Sequence, residues 1–197
     1  MGEVPKRSYR ARLEIELPAK SGYVGSNPTL SAKLILMKPT RIFIHGLESS
    51  SRGTKGVFFR KHYPDMIIKD YFGSFPQRMK KLENLLNNKH CLILVGSSFG
   101  GLMAAVYAHL HEERIGKLIL LAPALHLEYY KPYRDKKLHI PTTIFHGSED
   151  NVVPLEDVRL IAGKVFSNHE FNIVKDDHSL HNTFQSIAWG SLLKLPD

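Results

Sequence analysis

The chain has 197 residues, of which 43% are hydrophobic, and it carries a formal net charge of +8 at pH 7. This length and apolar content suffice for one domain with a substantial core, and the longest apolar stretches are too short to cross a bilayer about 30 Å thick. The positive charges are spread along the chain and form no long basic run, which argues against nucleic-acid binding as the main role. The N-terminal segment does not read as a secretory signal, and Cys91 as the only cysteine excludes an intrachain disulfide, so we expect a cytoplasmic protein without a membrane span.

From Pro39 onward, short β-branched segments alternate with helical patterns, which predicts βαβ units and a mostly parallel sheet of about six strands flanked by helices. The predicted strands are 41–45, 66–68, 91–95, 117–121, 142–146 and 170–174. The predicted helices are 77–86, 101–111, 155–166 and 182–193. The residues between the first two strands are predicted to form a loop rich in serine and glycine.

A turn rich in glycine and serine, Gly96-Ser97-Ser98-Phe99-Gly100-Gly101, lies directly between the apolar strand 91–95 and a predicted helix. This is the setting of a Gly-x-Ser-x-Gly nucleophile elbow, which holds its central serine in a strained turn above the sheet. The flanking glycines permit a close crossing of strand and helix, where a side chain would clash. We therefore predict Ser98, and not Ser97, as a nucleophile.

A serine hydroxyl is a poor nucleophile near neutral pH and needs a base that is oriented by an acid. Asp150 follows the predicted strand 142–146, at a position where a loop can turn a carboxylate towards the elbow. Asp150 could instead cap the following helix, and Glu149 or Asp157 could take its place as the acid. We predict Asp150 as the orienting acid, with these alternatives open.

The predicted base is His178, which follows the last predicted strand, 170–174. His181 is a competing candidate three residues further along the chain, where the closing helix is predicted to begin. A loop position leaves the imidazole of His178 freer to reach Ser98, so we favour His178.

The end of the first strand, His45-Gly46-Leu47, supplies the remaining part of such a site. The backbone N–H groups of Leu47 and of Phe99, the residue after the nucleophile, are expected to bind the negative charge that develops on a carbonyl oxygen. His45 is predicted to be a packed residue that holds this loop.

From Met37 onward the chain resembles the α/β-hydrolase superfamily, and within it the small YqiA-like serine esterases. The residues that carry the resemblance are His45-Gly46-x-x-Ser49-Ser50 with Lys55 downstream, Gly96-Ser97-Ser98-x-Gly100-Gly101, the C-terminal His178, and the chain order Ser, Asp, His. The resemblance implies a compact α/β-hydrolase core and hydrolysis of a carboxylic ester or thioester through an acyl-serine intermediate, without metal or cofactor.

One motif departs from the subgroup. The acid lies in His146-Gly147-x-x-Asp150-x-x-Val153-Pro154, the commoner form in α/β hydrolases at large, which leaves the subfamily and the substrate open. The alternative to a hydrolase is a non-catalytic α/β-hydrolase scaffold used for protein interaction, since a fold does not guarantee a function.

The connector 124–140 is too short to hold a cap domain, so we predict an uncapped and fairly open site. Aromatic and basic side chains of this connector are predicted to roof it in part, namely Tyr129, Tyr130, Lys131, Tyr133, Arg134, Lys136 and Lys137. Whether this segment binds anionic substrates or simply packs as a solvated connector stays open.

Two further features carry weaker hypotheses. Lys55 could contact an anionic substrate, although we favour a solvated lysine near a helix start. His111-Glu112-Glu113-Arg114 resembles the start of a zinc-protease helix motif, but Ile115 stands where the second histidine is needed, so no metal site is expected.

Residues 1–36 are predicted not to belong to the functional fold, with translation naturally starting at Met37. The peptide Gly25-Ser26-Asn27-Pro28 is what GGTTCGAATCC encodes, a sequence usual in the T-arm of transfer-RNA genes. Against this hypothesis stands the alternation of Ala11, Leu13, Ile15 and Leu17 with charged residues, which would suit an edge strand.

Overall fold

The computed structural model describes residues 38–195, which all belong to one unit of the chain, Leu36–Asp197. The predicted extension 1–36 and the start at Met37 lie outside the described residues. Both therefore stay predictions.

Six strands form a single parallel sheet. They are β1 Thr40–Ile44, β2 Ile67–Ile68, β3 Leu92–Ser97, β4 Ile115–Leu121, β5 Thr142–Gly147 and β6 His169–Val174. Their order across the sheet is β2-β1-β3-β4-β5-β6, and every neighbouring pair is parallel. The central strand β3 is buried along its whole length, because helices cover both faces of a parallel sheet. The predicted α/β fold class with a six-stranded sheet is confirmed.

The helices are α1 Thr54–His62, α2 Phe75–Leu86, α3 Phe99–Leu110, α4 Leu155–Val165 and α5 Trp189–Leu192, with 3-10 turns at Glu112–Arg114, Glu128–Tyr133 and Phe184–Ser186. The connector 124–140 contains only one of these turns, so the described chain has no cap domain, as predicted. Within residues 38–195, no helix combines the length and the apolar character that a membrane span requires.

Two local predictions are wrong. Helix α1 occupies part of the predicted loop. The sequence did not indicate this helix because its apolar residues 57–59 are consecutive and lack the spacing of three or four residues that is typical of an amphipathic helix. The predicted closing helix 182–193 is not continuous: residues 182–183 form a turn on the Asp176 carboxylate, and the non-helical residues Ile187 and Ala188 separate the 3-10 turn from α5.

The strands send alternate side chains into two apolar clusters on opposite faces of the sheet. On β3, Leu92 and Leu94 join the cluster that contains the buried residues of α2, α3 and α4. Ile93 and Val95 join the other cluster, to which α1 and the C-terminal segment contribute. The sheet is thus a rigid central layer whose strand ends are fixed in space.

The carboxyl ends of the strands meet at one edge of the sheet. The register pairs Ile44 with Gly96, Ser97 with Leu121, and Gly147 with Val174. The strand order reverses between β1 and β3, which is the point where open α/β sheets bind ligands. The loops that follow β1, β3, β5 and β6 therefore converge on this edge.

The crossing of β1 with α3 leaves no room for a side chain at Gly100. A Cβ atom there would lie 2.6 Å from the carbonyl oxygen of His45 and closer still to that of Ile44. We expect Gly100→Ala to lower the free energy of unfolding by about 3 kcal/mol, because the neighbour is backbone and cannot rotate away.

The matched control is Gly163→Ala, at an exposed position inside α4 where an added Cβ meets nothing within 4 Å. This substitution should raise the free energy of unfolding by about 0.5–1 kcal/mol, since alanine has a higher helix propensity than glycine. Urea titrations of both variants measure the two effects. Equal stability of the two variants would contradict the close crossing at Gly100.

Candidate active site

Ser98 occupies the sharp turn between β3 and α3. Its backbone has φ 53° and ψ −117°, a left-handed conformation that side-chain-bearing residues rarely adopt. The Ser98 N–H donates to the carbonyl oxygen of Leu121 at 2.8 Å, and its own carbonyl accepts the N–H groups of Gly101 and Ala124. A Cβ on Gly96 would lie 2.5 Å from the Gly100 carbonyl oxygen, so glycine is required beside the turn. The strained conformation is thus held by the surrounding backbone.

The structure brings the three predicted residues Ser98, His178 and Asp150 together. His178 Nε2 lies 3.0 Å from Ser98 Oγ, and His178 Nδ1 lies 2.7 Å from Asp150 Oδ2. The Asp150 side chain is fully buried, and 19% of the His178 side chain is exposed. A neutral imidazole fits these contacts when Nδ1 carries the proton and donates to Asp150, which leaves Nε2 to accept from the Ser98 hydroxyl.

Asp150 is held at both carboxylate oxygens. Oδ1 accepts the backbone N–H groups of Val152 and Val153, each at 2.9 Å. Oδ2 lies 3.2 Å from Nε2 of the buried His146, which also lies 3.1 Å from the Val153 carbonyl oxygen. Burial lowers the pKa of His146, so its ring is neutral and Nε2–H can donate to both oxygens. Helix α4 is capped at Pro154, so Asp150 contributes no side-chain cap to it.

The competing histidine has a different partner. His181 Nδ1 lies 2.6 Å from Asp177 Oδ2, and 67% of the His181 side chain is exposed. The histidine next to Ser98 Oγ is therefore His178. Its carboxylate partner is Asp150, and not Glu149 or Asp157.

The loop after β1 lies directly against Ser98. A Cβ on Gly46 would be 3.4 Å from Ser98 Cβ, and Leu47 and Phe99 both line the cavity that contains Ser98. Neither the Leu47 N–H nor the Phe99 N–H has an acceptor among residues 38–195. Both groups are thus free to bind an oxygen atom of a bound molecule.

His45 has the packing role predicted for it. Its ring is buried, with Nδ1 2.7 Å from the Gly46 carbonyl oxygen and Nε2 3.1 Å from the Tyr71 nitrogen. Nε2 accepts the Tyr71 N–H, so Nδ1 carries the proton and donates to Gly46. Burial lowers the pKa of His45, which keeps the ring neutral and the loop in place.

Arg78 packs against two residues of the cavity wall, a position that the sequence did not reveal. This buried arginine of α2 donates to the carbonyl oxygens of Gly73 at 3.0 Å and Leu47 at 3.4 Å, and its guanidinium lies 5.6 Å from the centre of the Phe99 ring. Nothing in its sequence surroundings distinguishes it from a surface lysine or arginine. Arg78 therefore contacts both residues whose backbone N–H groups are predicted to bind the oxyanion, Leu47 at its carbonyl oxygen and Phe99 at its ring.

The cavity around Ser98 has a volume of ≈ 610 Å³. Its apolar lining includes Leu47, Phe99, Leu127, Val152, Val153 and Phe184. Its polar lining includes Glu48, Lys55, His126, His178, Ser179, His181 and Gln185.

The predicted roof is wrong, because none of the connector's named aromatic and basic residues lines this cavity. Tyr130 is fully buried, with its hydroxyl 3.0 Å from His109 Nε2, and the Arg134 guanidinium donates to main-chain carbonyl oxygens of 125–127. Tyr129 stacks on Phe75 at 4.5 Å between ring centres. These contacts occupy the side chains of Tyr129, Tyr130 and Arg134 outside the cavity.

The favoured interpretation of Lys55 as a solvated lysine is also wrong. Lys55 is half-buried, lines the cavity and donates a hydrogen bond to the Ser179 carbonyl oxygen.

No cluster of three or more histidine, cysteine, aspartate or glutamate side chains within residues 38–195 is placed to hold a metal ion.

Comparison with known proteins agrees with this architecture. The family described as alpha/beta hydrolase fold matches residues 44–135, which include the Ser98 turn and the loop after β1. Residues 44–135 thus match the α/β-hydrolase superfamily, and the described part of the chain has its fold. No curated protein sequence matches the chain. The YqiA-like subgroup stays a prediction.

Three solved structures illustrate the shared α/β-hydrolase fold. A YdeN-like hydrolase from Pectobacterium atrosepticum is 18% identical, with a TM-score of 0.66, over 86% of this chain and 98% of that one. An α/β serine hydrolase homologue from Coxiella burnetii is 18% identical, with a TM-score of 0.61, over 78% and 83%. Est1E from Butyrivibrio proteoclasticus with bound ferulic acid is 15% identical, with a TM-score of 0.64, over 79% and 87%.

Proposed function

We propose that this protein is a serine hydrolase that cleaves a carboxylic ester or thioester through an acyl-serine intermediate. One observation carries the proposal: Ser98 Oγ, the His178 imidazole and the Asp150 carboxylate are connected at 3.0 and 2.7 Å beside a cavity. In this proposal Ser98 is the nucleophile, His178 the base and Asp150 the orienting acid.

The first half of the reaction acylates Ser98. Oγ attacks the carbonyl carbon of the substrate while His178 Nε2 takes the hydroxyl proton, and the carbonyl oxygen becomes an oxyanion. The backbone N–H groups of Leu47 and Phe99 donate to this oxyanion. The tetrahedral intermediate then collapses, the bond to the leaving oxygen or sulfur breaks, and His178 gives that atom its proton.

The second half releases the acid. A water molecule attacks the acyl carbon and loses its proton to His178 Nε2, and the Ser98 oxygen leaves and takes that proton back. Asp150 stays ionised throughout and stabilises the imidazolium that forms twice in the cycle. Its buried position and its four donors keep the imidazole in one orientation.

An ester or thioester suits the chemistry of the cavity. Its lining includes apolar side chains, such as Leu47, Phe99 and Leu127, that an acyl chain or ring can contact, and it is open to solvent so that water can enter for deacylation. Est1E, which shares this fold, binds ferulic acid. Ferulic acid is a carboxylic acid, the class of product that ester cleavage releases.

A fluorophosphonate probe tests the proposal. An activated Ser98 attacks the phosphorus atom, fluoride leaves, and the protein becomes stably labelled on one serine oxygen. We expect labelling of the wild type, no labelling of Ser98→Ala, and full labelling of the control Ser167→Ala, which changes an exposed serine outside the cavity. A non-catalytic scaffold would leave all three proteins unlabelled, and labelling of Ser98→Ala would also contradict the proposal.

A further inference from the structure

Lys55, in the first turn of α1, places a positive charge in the wall of the cavity that contains Ser98. Its Nζ donates to the Ser179 carbonyl oxygen at 2.6 Å and lies 5.4 Å from the centre of the Phe184 ring. An ammonium group has three N–H donors, and Ser179 is its one hydrogen-bond acceptor among residues 38–195. Two donors are therefore left for a molecule in the cavity.

The charge of Lys55 has no direct counter-ion in the described part of the chain, where no carboxylate oxygen lies within 4.0 Å of Nζ. The carboxylates that attract it from further away are Asp177 and Asp176. Asp177 Oδ2 is bonded to His181, and buried Asp176 accepts N–H groups from the turn 182–183. Burial lowers the pKa of Lys55 and the two carboxylates only partly oppose this effect, so an anion beside Nζ would stabilise the ammonium form.

The position of Lys55 relative to His178 indicates which part of a substrate it meets. In the proposed reaction His178 Nε2 gives its proton to the leaving atom, so the leaving group lies on the His178 side of Ser98. Lys55 Nζ is hydrogen-bonded to the carbonyl oxygen of Ser179, the residue that follows His178 in the same loop. A leaving group that extends beyond His178 along the cavity wall therefore approaches Nζ.

We propose that the cavity selects esters or thioesters whose alcohol or thiol part carries an anionic oxygen group, a carboxylate or a phosphate, which Lys55 binds. This inference rests on the proposed serine hydrolase function. The hydrogen bond between the Lys55 ammonium and this anionic group would join two full charges beside the apolar Phe184 ring. Such a charged hydrogen bond is stronger than one between neutral groups.

A matched pair of acetate esters tests the inference. 4-Carboxyphenyl acetate carries a carboxylate on its leaving group, and 4-(methoxycarbonyl)phenyl acetate is its neutral methyl ester. We measure the ratio of kcat/KM for the anionic to the neutral ester in wild type and in Lys55→Gln. The ratio should fall about tenfold or more in the variant, since an interaction with a charged partner is lost. Differences in the intrinsic reactivity of the two esters cancel in this comparison.

Two variants serve as controls. Lys55→Arg keeps the positive charge and should retain most of the preference for the anionic ester. Lys61→Gln removes an exposed lysine of the same helix that does not line the cavity, and it should leave the ratio unchanged. If Lys55 only holds the Ser179 loop, Lys55→Gln will lower kcat/KM for both esters equally, and that result would overturn the inference.

Binding separates this inference from the proposed function. NMR titrations of both esters into Ser98→Ala and into Ser98→Ala/Lys55→Gln report affinity without turnover. Weaker binding of the anionic ester alone in the double variant supports the inference, whether or not the wild type hydrolyses either ester. If both esters bind the two proteins alike while Ser98-dependent hydrolysis is observed, the inference fails and the proposed function stands.

Discussion

Replacing either Ser98 or His178 by alanine is expected to lower the turnover of an activated ester by roughly four to six powers of ten. The expected loss is large because the two groups act as a unit, and neither has a substitute nearby. His181, the neighbouring histidine of the loop, lines the same cavity, but its Nδ1 is hydrogen-bonded to Asp177 and 67% of its side chain is exposed. Single-turnover and steady-state assays with a 4-nitrophenyl ester measure the effect.

The same variants must remain folded for this test to be decisive. Ser167→Ala is the matched control and should keep wild-type turnover. Alanine at position 98 fits the same backbone as serine, so the thermal midpoint of Ser98→Ala should stay close to that of the wild type. A folded Ser98→Ala protein with near wild-type esterase activity would refute the proposed mechanism.

Asp150→Asn is expected to lower turnover by about four powers of ten, through the wrong tautomer of His178. Oδ1 of Asp150 accepts two backbone N–H groups, from Val152 and Val153. The asparagine oxygen must take that place, because an NH₂ group there would face two donors. Its NH₂ group then faces His178 Nδ1, which has to accept instead of donate, so Nε2 carries the proton and cannot act as a base.

The measurement is kcat/KM of Asp150→Asn over a range of pH, beside the control Asp157→Asn at an exposed position of α4. The control should keep wild-type activity, since Asp157 is not the partner of His178. The geometry at Asp150 would have no catalytic meaning if Asp150→Asn kept more than a tenth of the wild-type activity.

The local sequence was sufficient to predict the turn at Ser98. Gly96 and Gly100 are needed because a strand and a helix cross within a few residues of each other, and such a contact is specified by neighbours along the chain. The alternation of apolar strands with amphipathic helices likewise predicted the parallel sheet, because each pattern reports the burial of its own segment. The fold class and the position of Ser98 therefore followed from short-range information.

The choice of acid and base needed the folded chain. The sequence narrowed the candidates to a few carboxylates and two histidines, but His178 is 80 residues from Ser98 and 28 from Asp150. Only the register of the strands brings their loops to the same edge of the sheet. That arrangement decides which carboxylate accepts the hydrogen bond from His178 Nδ1–H.

The parallel sheet and the turn that carries Ser98 follow from patterns in the sequence, whereas the side chains that surround Ser98 depend on contacts between distant segments of the folded chain. Tyr130 was expected above the site and is buried against His109, while Lys55 was expected in solvent and lies in the cavity wall. The Lys55 ammonium bonds to a carbonyl 124 residues away. A side chain's position depends on the partners that distant segments bring to it, and no pattern of nearby residues records those partners.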